Sequence, residues 1–413
     1  MSALARLFLH EGKEVSGSDS SPSAITDALQ EEGVQFFKQE NNTTIYDSVK
    51  NIDLVVYTEA MSKDHKELVE AREKGIKTIN YFEALGMVAN PYYLVAVSGT
   101  HGKSTTTAML VDIFEEAGKD PSAIVGSLRS KTGSNYRAGK SQYMIAEACE
   151  YRRNFLYLEP DVLVITNLEH EHVDYYKSLA DVQSAFRELA LKVPAEGAVV
   201  CDTADANVKP VIDGLSCQVI DYRQYLDPML QLKQPGVHNQ LNAVAAIAVA
   251  THEGIEVELA KRALENFAGI WRRFEYKGDV NGAPVYDDYA HHPTEIKAAI
   301  AGVREKYPSK KLTVVFQPHT YTRTAELFDN FVEALAQADR VLMVPIYAAR
   351  ETNESGVSSE QIIEKITESG TSAEHFHTLE AATLNIRESV SNDDVVVVMG
   401  AGDVTKIASN LTN

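Results

Sequence analysis

Residues 92–118 read YYLVAVSGTHGKSTTTAMLVDIFEEAG, and this stretch decides the fold. Its opening apolar run suits a strand buried on both faces. Gly99-Thr100-His101-Gly102-Lys103-Ser104 follows as a glycine-rich turn. Thr107, Leu110, Phe114 and Ala117 then recur at helical spacing, with Gly118 as a C-cap. A strand, a GKS turn and a helix in this order predict a phosphate cradle. Glycines let backbone N–H groups approach phosphate oxygens, and the helix N-terminus adds about half a positive charge. Lys103 can reach the outer phosphates of a nucleotide, and the Ser104 hydroxyl suits a Mg2+ ligand. Gly99, Thr100, His101, Gly102, Lys103, Ser104 and Thr105 are therefore the candidate nucleotide-binding residues. The usual pattern has a further glycine five residues before Gly102, where this chain has Val97, so the motif is a variant.

Similar apolar runs flank the turn on both sides. They begin at Ile52, Gln142, Asp161, Gly197, Leu312, Arg340 and Val395, and helical patterns separate them. Continuous Val/Ile/Leu runs of this length predict an α/β fold with mostly parallel sheets covered by helices. At 413 residues the chain is too long for one ordinary core. Three blocks are expected: 1–90, ending at the polar Asn90-Pro91; 91–269; and 270–413.

Composition narrows the function. Hydrophobic residues make up 44% and charged residues 24%, and no apolar run of about 18 residues occurs, so no membrane-spanning helix is expected. The N-terminus lacks the basic flank and cleavage site of a signal peptide. Three cysteines without a CxxC pair point to a reducing, cytoplasmic setting. A net charge of −20 argues against nucleic acid or anionic membranes as partners. Any phosphate must then be held by local structure.

At the phosphate turn a family resemblance emerges. Val97-Ser98-Gly99-Thr100-His101-Gly102-Lys103-Ser104-Thr105-Thr106-Thr107 resembles the ATP loop of the Mur ligases. Three further stretches match the same family in the same order. His238-Asn239-Gln240-Leu241-Asn242-Ala243-Val244-Ala245-Ala246 resembles its H-N-x-x-N-x-x-A-A segment. Asp287-Asp288-Tyr289-Ala290-His291-His292-Pro293-Thr294-Glu295 resembles D-D-Y-x-H-H-P-T-E, and Phe316-Gln317-Pro318-His319-Thr320-Tyr321-Thr322-Arg323-Thr324 resembles F-Q-P-H-R-Y-T-R-T. The resemblance implies three domains: a Rossmann-like N-terminal domain for a UDP-sugar, a P-loop-type central ATPase domain, and a Rossmann-like C-terminal domain for an amino acid. It also implies ATP-dependent ligation, with Mg2+, of L-alanine to the carboxylate of UDP-N-acetylmuramate through an acyl phosphate, in peptidoglycan precursor synthesis. A monomer or homodimer is expected.

Such chemistry needs a phosphate cradle, metal ligands and cationic clamps. Glu147 ends one apolar strand and His172 follows another. The C-terminal ends of two adjacent strands would bring them into the crevice near Lys103. By resemblance these two residues hold Mg2+, with Ser104 near a first ion and His170 a bystander. Relatives commonly read E-A-D-E where this chain reads Glu147-Ala148-Cys149-Glu150, and a thiol cannot replace a carboxylate on a hard cation. Asn239 and Asn242, three apart on an Ala-rich helix, present two amides to an adenine edge; Asn239 alone also reads as an N-cap. The Arg272-Arg273-Phe274 segment resembles an R-R-F whose arginine, here Arg273, reaches ATP phosphates. An aspartate, Asp287 or Asp288, would contact the ribose. His291 and His292 resemble residues that orient the substrate carboxylate or incoming amine, and Arg323 would pair with a carboxylate or phosphate. Thr320 stands where relatives carry another arginine. His319 reads equally as strand-end packing.

Members of the family open with a strand and a G-x-G-G-x-G-M-S turn for the UDP pyrophosphate. This sequence begins at Met1-Ser2-Ala3-Leu4 without them, which a truncated gene model explains and which predicts weak UDP-sugar binding. Ser16-Gly17-Ser18-Asp19, after a second strand, is what remains of that site. The competing readings are a murein peptide-recycling ligase, a catalytically impaired nucleotide-binding relative, and a P-loop kinase or motor. The last would leave the C-terminal histidine and arginine motifs without a role.

Overall fold

The computed structural model describes residues 1–19, 23–38, 45–173 and 175–412. They form two compact units: Met1–Met229 with Leu241–Phe267, and Leu230–Gln240 with Ala268–Asn413. The fold is α/β with mostly parallel sheets.

In the first unit the run at 92–98 forms the strand Tyr93–Ser98, fully buried from Leu94 onward. It lies inside a seven-stranded sheet. Tyr143–Glu147 pairs with it on one side and Val162–Ile165 on the other, both parallel. Beyond Tyr143–Glu147 come Ser122–Arg129 and Ser134–Arg137; beyond Val162–Ile165 come Ala198–Cys201 and Gln218–Asp221. Contrary to the sequence expectation, the strands carrying Glu147 and leading to His172 are therefore not adjacent to each other; they flank the strand that carries the phosphate turn. The chain leaves that strand to one side first and crosses to the other side later, making it the switch point where such sheets bind ligands.

The helix Lys103–Glu116 is buried over Thr105–Phe114, well beyond one stripe, because it packs inside the unit rather than on its surface. Gly118 ends it at φ +68°. Two small parallel sheets complete the unit, Ser16–Asp19 with Gln35–Lys38 and Leu54–Tyr57 with Lys77–Asn80. Ser16–Asp19 is thus itself a strand, not a segment after one; four small or polar residues carried no apolar signal.

The second unit holds a six-stranded sheet in the order Glu275–Val280, Ala283–Asp288, Asp394–Met399, Lys311–Phe316, Arg340–Met343, Ser372–His375. Only the first pair is antiparallel. Alternation divides its two faces. Val395, Val397 and Met399 enter one core with Leu312, Val314 and Phe316, while Val396 and Val398 enter the other with Val285 and Val315. The loops after Asp288 and Phe316 thereby leave the sheet at its C-terminal edge. No described helix is long and apolar enough to cross a membrane.

Candidate active site

Two glycines shape the phosphate turn. Gly99 has φ +132°, and a Cβ there would lie 2.0 Å from Thr166 Oγ1. Gly102 has φ +84°, and a Cβ there would lie 2.2 Å from Asn242 Oδ1. Both positions combine a left-handed backbone with a close neighbour, so only glycine fits. Val97, at the position of the usual motif's first glycine, lies within the strand Tyr93–Ser98. The turn is tied to the loop after Val162–Ile165: Thr100 N donates to Asn167 O at 3.1 Å and His101 N to Asn167 Oδ1 at 2.9 Å. Thr105 is buried in the first helical turn.

Lys103 Nζ donates to Gly99 O at 2.5 Å, Thr100 O at 2.9 Å and Glu150 Oε1 at 3.0 Å. Burial disfavours its charge, but its anionic neighbours, led by Glu150, outweigh that and hold it above the usual lysine range. The Glu150 side chain is only 3% exposed. Burial pushes its carboxyl up, yet Lys103 and His172 together hold it below the usual carboxylate range. His172 Nε2 stands 3.3 Å from the same Oε1. Glu171 joins Glu150 and His172 in a cluster whose candidate ligand atoms lie within 4.8 Å of one another.

Ser104 Oγ donates to Glu147 Oε2 at 2.6 Å, and Gly126 N donates to the same oxygen at 2.9 Å. A Cβ on Gly126 would lie 2.3 Å from it. Cys149 points elsewhere in chemistry: burial pushes its thiol up to about 12, leaving it protonated. His170 Nε2 contacts Tyr176 O at 3.0 Å. The structure therefore gathers Lys103, Ser104, Glu147 and His172 around one turn and adds Glu150, Glu171 and Gly126. Glu150 was visible in the Glu-Ala-Cys-Glu run as a second acid after a strand end. Gly126 left no signal, because its partner is 21 residues away.

Asn239 and Asn242 share the helix Val237–His252 but differ in engagement. Asn242 Oδ1 faces Gly102, whereas Asn239 Nδ2 donates to Pro235 O at 2.8 Å.

In the second unit Asp288 is the hub. Its oxygens accept from Ala290 N and Phe274 N, each at 2.8 Å. Burial pushes its carboxyl up to about 6, against the pull of Arg273. Arg273 Nη1 donates to Glu295 Oε1 at 3.2 Å and lies over the Tyr289 ring. Arg272 is buried and turns to the backbone of Gly400 and Gly402 and toward Asp287. Asp287 is fully buried and accepts from Thr405 Oγ1 at 2.5 Å. His292 caps the helix Pro293–Lys306 through Nδ1, and Glu295 returns the bond to the His292 N–H. His291 Nδ1 contacts Tyr289 O at 3.0 Å, and its ring stands 6.2 Å from that of His319. His319 stacks on Tyr347, and burial with the nearby His291 and Arg323 pushes it down to about 4, so it is neutral. Arg323 Nη1 lies 3.4 Å from His319 Nδ1. Thr320 has φ +65°, an unusual conformation for a β-branched residue.

A glycine cradle with a lysine at a sheet switch point defines a nucleotide-phosphate site, and a separate α/β unit follows it in the chain. The chain belongs to the Mur ligase family. The family models described as "Mur ligase family, catalytic domain", "Mur ligase middle domain" and "Mur ligase, glutamate ligase domain" match residues 1–93, 97–226 and 272–402. The UDP-N-acetylmuramate–L-alanine ligase of Agathobacter rectalis is 38% identical over 100% of this chain and 95% of its own length. That of Clostridium novyi is 38% identical over 98% and 93%. Among solved structures, the UDP-N-acetylmuramate-alanine ligase of Thermotoga maritima superposes with a TM-score of 0.83 at 28% identity, covering 100% of this chain and 95% of that one. A murein peptide ligase from Psychrobacter arcticus shares the fold, with a TM-score of 0.73 at 23% identity over 100% and 95%.

Proposed function

We propose that the protein joins L-alanine to the carboxylate of UDP-N-acetylmuramate at the expense of ATP, in peptidoglycan precursor synthesis. The substrate reading is supported by near-complete coverage of relatives that carry that name at 38% identity. The chemical reading rests on one observation: Lys103 and the Ser104–Glu147 pair stand on the same glycine turn.

In this reading the γ-phosphoryl group passes to a carboxylate oxygen, the bond to the bridging oxygen breaks, and ADP leaves. The alanine amine then attacks the acyl carbon, phosphate departs, and the nitrogen gives up a proton. Lys103 neutralises charge on the transferring group, and the Gly99–Ser104 backbone orients it. Ser104 and Glu147 offer hard oxygen donors that suit Mg2+, which supplies further neutralisation of the phosphates when bound; His172 is the other candidate ligand. By the family resemblance, Arg273 and Arg323 serve as cationic groups, Asp288 as the ribose acceptor, and His291 and His292 orient the carboxylate or amine. Asn242 is favoured over Asn239 for adenine, because the Asn239 amide is already engaged with Pro235.

The test is phosphate release with ATP, Mg2+ and UDP-N-acetylmuramate, with and without L-alanine. Strict dependence on both acceptor and alanine is expected. Turnover with a preformed tripeptide in place of alanine would move the assignment to a peptide-recycling ligase. ATP hydrolysis that ignores the amine would end it.

Gly126→Ala tests the metal reading separately. Its Cβ displaces the Glu147 carboxylate, so the Mg2+ concentration for half-maximal rate should rise about tenfold or more, the range seen when a ligand loses its positioning partner. An unchanged Mg2+ titration would remove Glu147 from the metal site.

A further inference from the structure

The second unit carries a cluster of ligand-type side chains remote in sequence from every motif above. His375 ends the edge strand Ser372–His375, and His377 follows two residues later. The backbone there is fixed: Phe376 N donates to Met343 O at 2.8 Å, so the segment stays aligned with the neighbouring strand. Glu360 lies in the first turn of the helix Ser359–Glu368. That helix is anchored to the same end of the sheet, because Ser359 Oγ donates to Val344 O at 2.8 Å. Two independent backbone constraints thus hold the segments that carry one carboxylate and two imidazoles side by side. A candidate ligand atom from each of the three residues lies within 4.8 Å of the others.

Three details distinguish this cluster from an ordinary helix-start hydrogen bond. Glu360 Oε1 and His375 Nδ1 stand 3.2 Å apart, close to the edge of ~3.3 Å that a zinc tetrahedron with bonds of ~2.0–2.1 Å requires. The His375 side chain is only 9% exposed, and its Nε2 is buried with no hydrogen-bond partner among the described residues. With the proton on Nε2, Nδ1 turns a lone pair toward the carboxylate oxygen, an arrangement that a cation bound between the two satisfies. His377 is exposed and sets its ring edge-on to His375, with centroids 5.0 Å apart.

Imidazole donors select zinc, nickel or copper over magnesium or calcium.

We propose that Glu360, His375 and His377 form a binding site for a divalent transition cation of the zinc class, with a coordination position open to solvent. Such an ion would staple the start of one helix to the end of the edge strand.

The experiment uses the full-length protein with saturating Mg2+ throughout, titrated with ZnCl2 by calorimetry and melted with and without Zn2+. His377→Ala removes an exposed side chain and should leave the fold intact, while His375→Gln keeps a polar group beside Glu360. Each should weaken one zinc equivalent by about tenfold or more, the double variant should lose it, and Zn2+ should raise the Tm of the parent more than that of the variants. Imidazoles elsewhere cancel in the comparison. Equal zinc stoichiometry and affinity in parent and double variant would overturn the site, as would a parent that binds no zinc.

Discussion

Lys103→Ala is expected to cut alanine-dependent phosphate release by roughly 10³-fold, the scale on which loss of one preorganised charge-stabilising donor is felt. The lysine is 15% exposed and is held charged by a buried acid, so its ammonium is present at every working pH. Three acceptors hold it in the turn, which places the charge before any phosphate arrives. The substitution removes that charge while leaving the glycine backbone and the Ser104–Glu147 pair in place. Nucleotide affinity should therefore fall less than turnover. A variant that retained a tenth or more of the parent rate would show that the lysine is a structural tie and not part of the reaction.

Glu150→Ala should destabilise the first unit by about 3 kcal/mol, because it strips the counter-charge from a buried ammonium. The carbonyls of Gly99 and Thr100 remain as partners, which places the cost at the lower end of what a broken buried pair shows. The double variant Lys103→Ala/Glu150→Ala should be more stable than the sum of the two single losses predicts, by about 1–3 kcal/mol. Denaturant unfolding of all four proteins measures this coupling. Strict additivity would mean that the two charges stabilise the fold independently of each other.

These contacts also mark what the sequence could and could not reveal. The phosphate turn was legible because strand, turn and helix are contiguous, so their order on the chain is their order in space. The α/β character was legible from apolar runs such as those ending at Ile165 and Met399, which are buried on both faces. Strand order was not. The neighbours of Tyr93–Ser98 come from residues 143–147 and 162–165, and the chain skips a place before filling it. Edge strands such as Ser372–His375 and Gln218–Asp221 are four residues long and at least half polar, so neither length nor alternation set them apart. Gly126 illustrates the deepest limit. Its requirement is steric, set by a carboxylate that only tertiary structure brings within reach.

The crowding of Glu147, Glu150 and Glu171 near a single ammonium has a thermodynamic corollary. A cleft so rich in anions resists a bare triphosphate but welcomes a metal ion, and each guest lowers the electrostatic penalty of the other. Because such linkage is reciprocal, whatever factor magnesium adds to nucleotide affinity, nucleotide must return to magnesium. Lys103 already supplies the counter-charge of Glu150, the most buried of the three acids, while Ser104 serves Glu147 with a neutral hydroxyl.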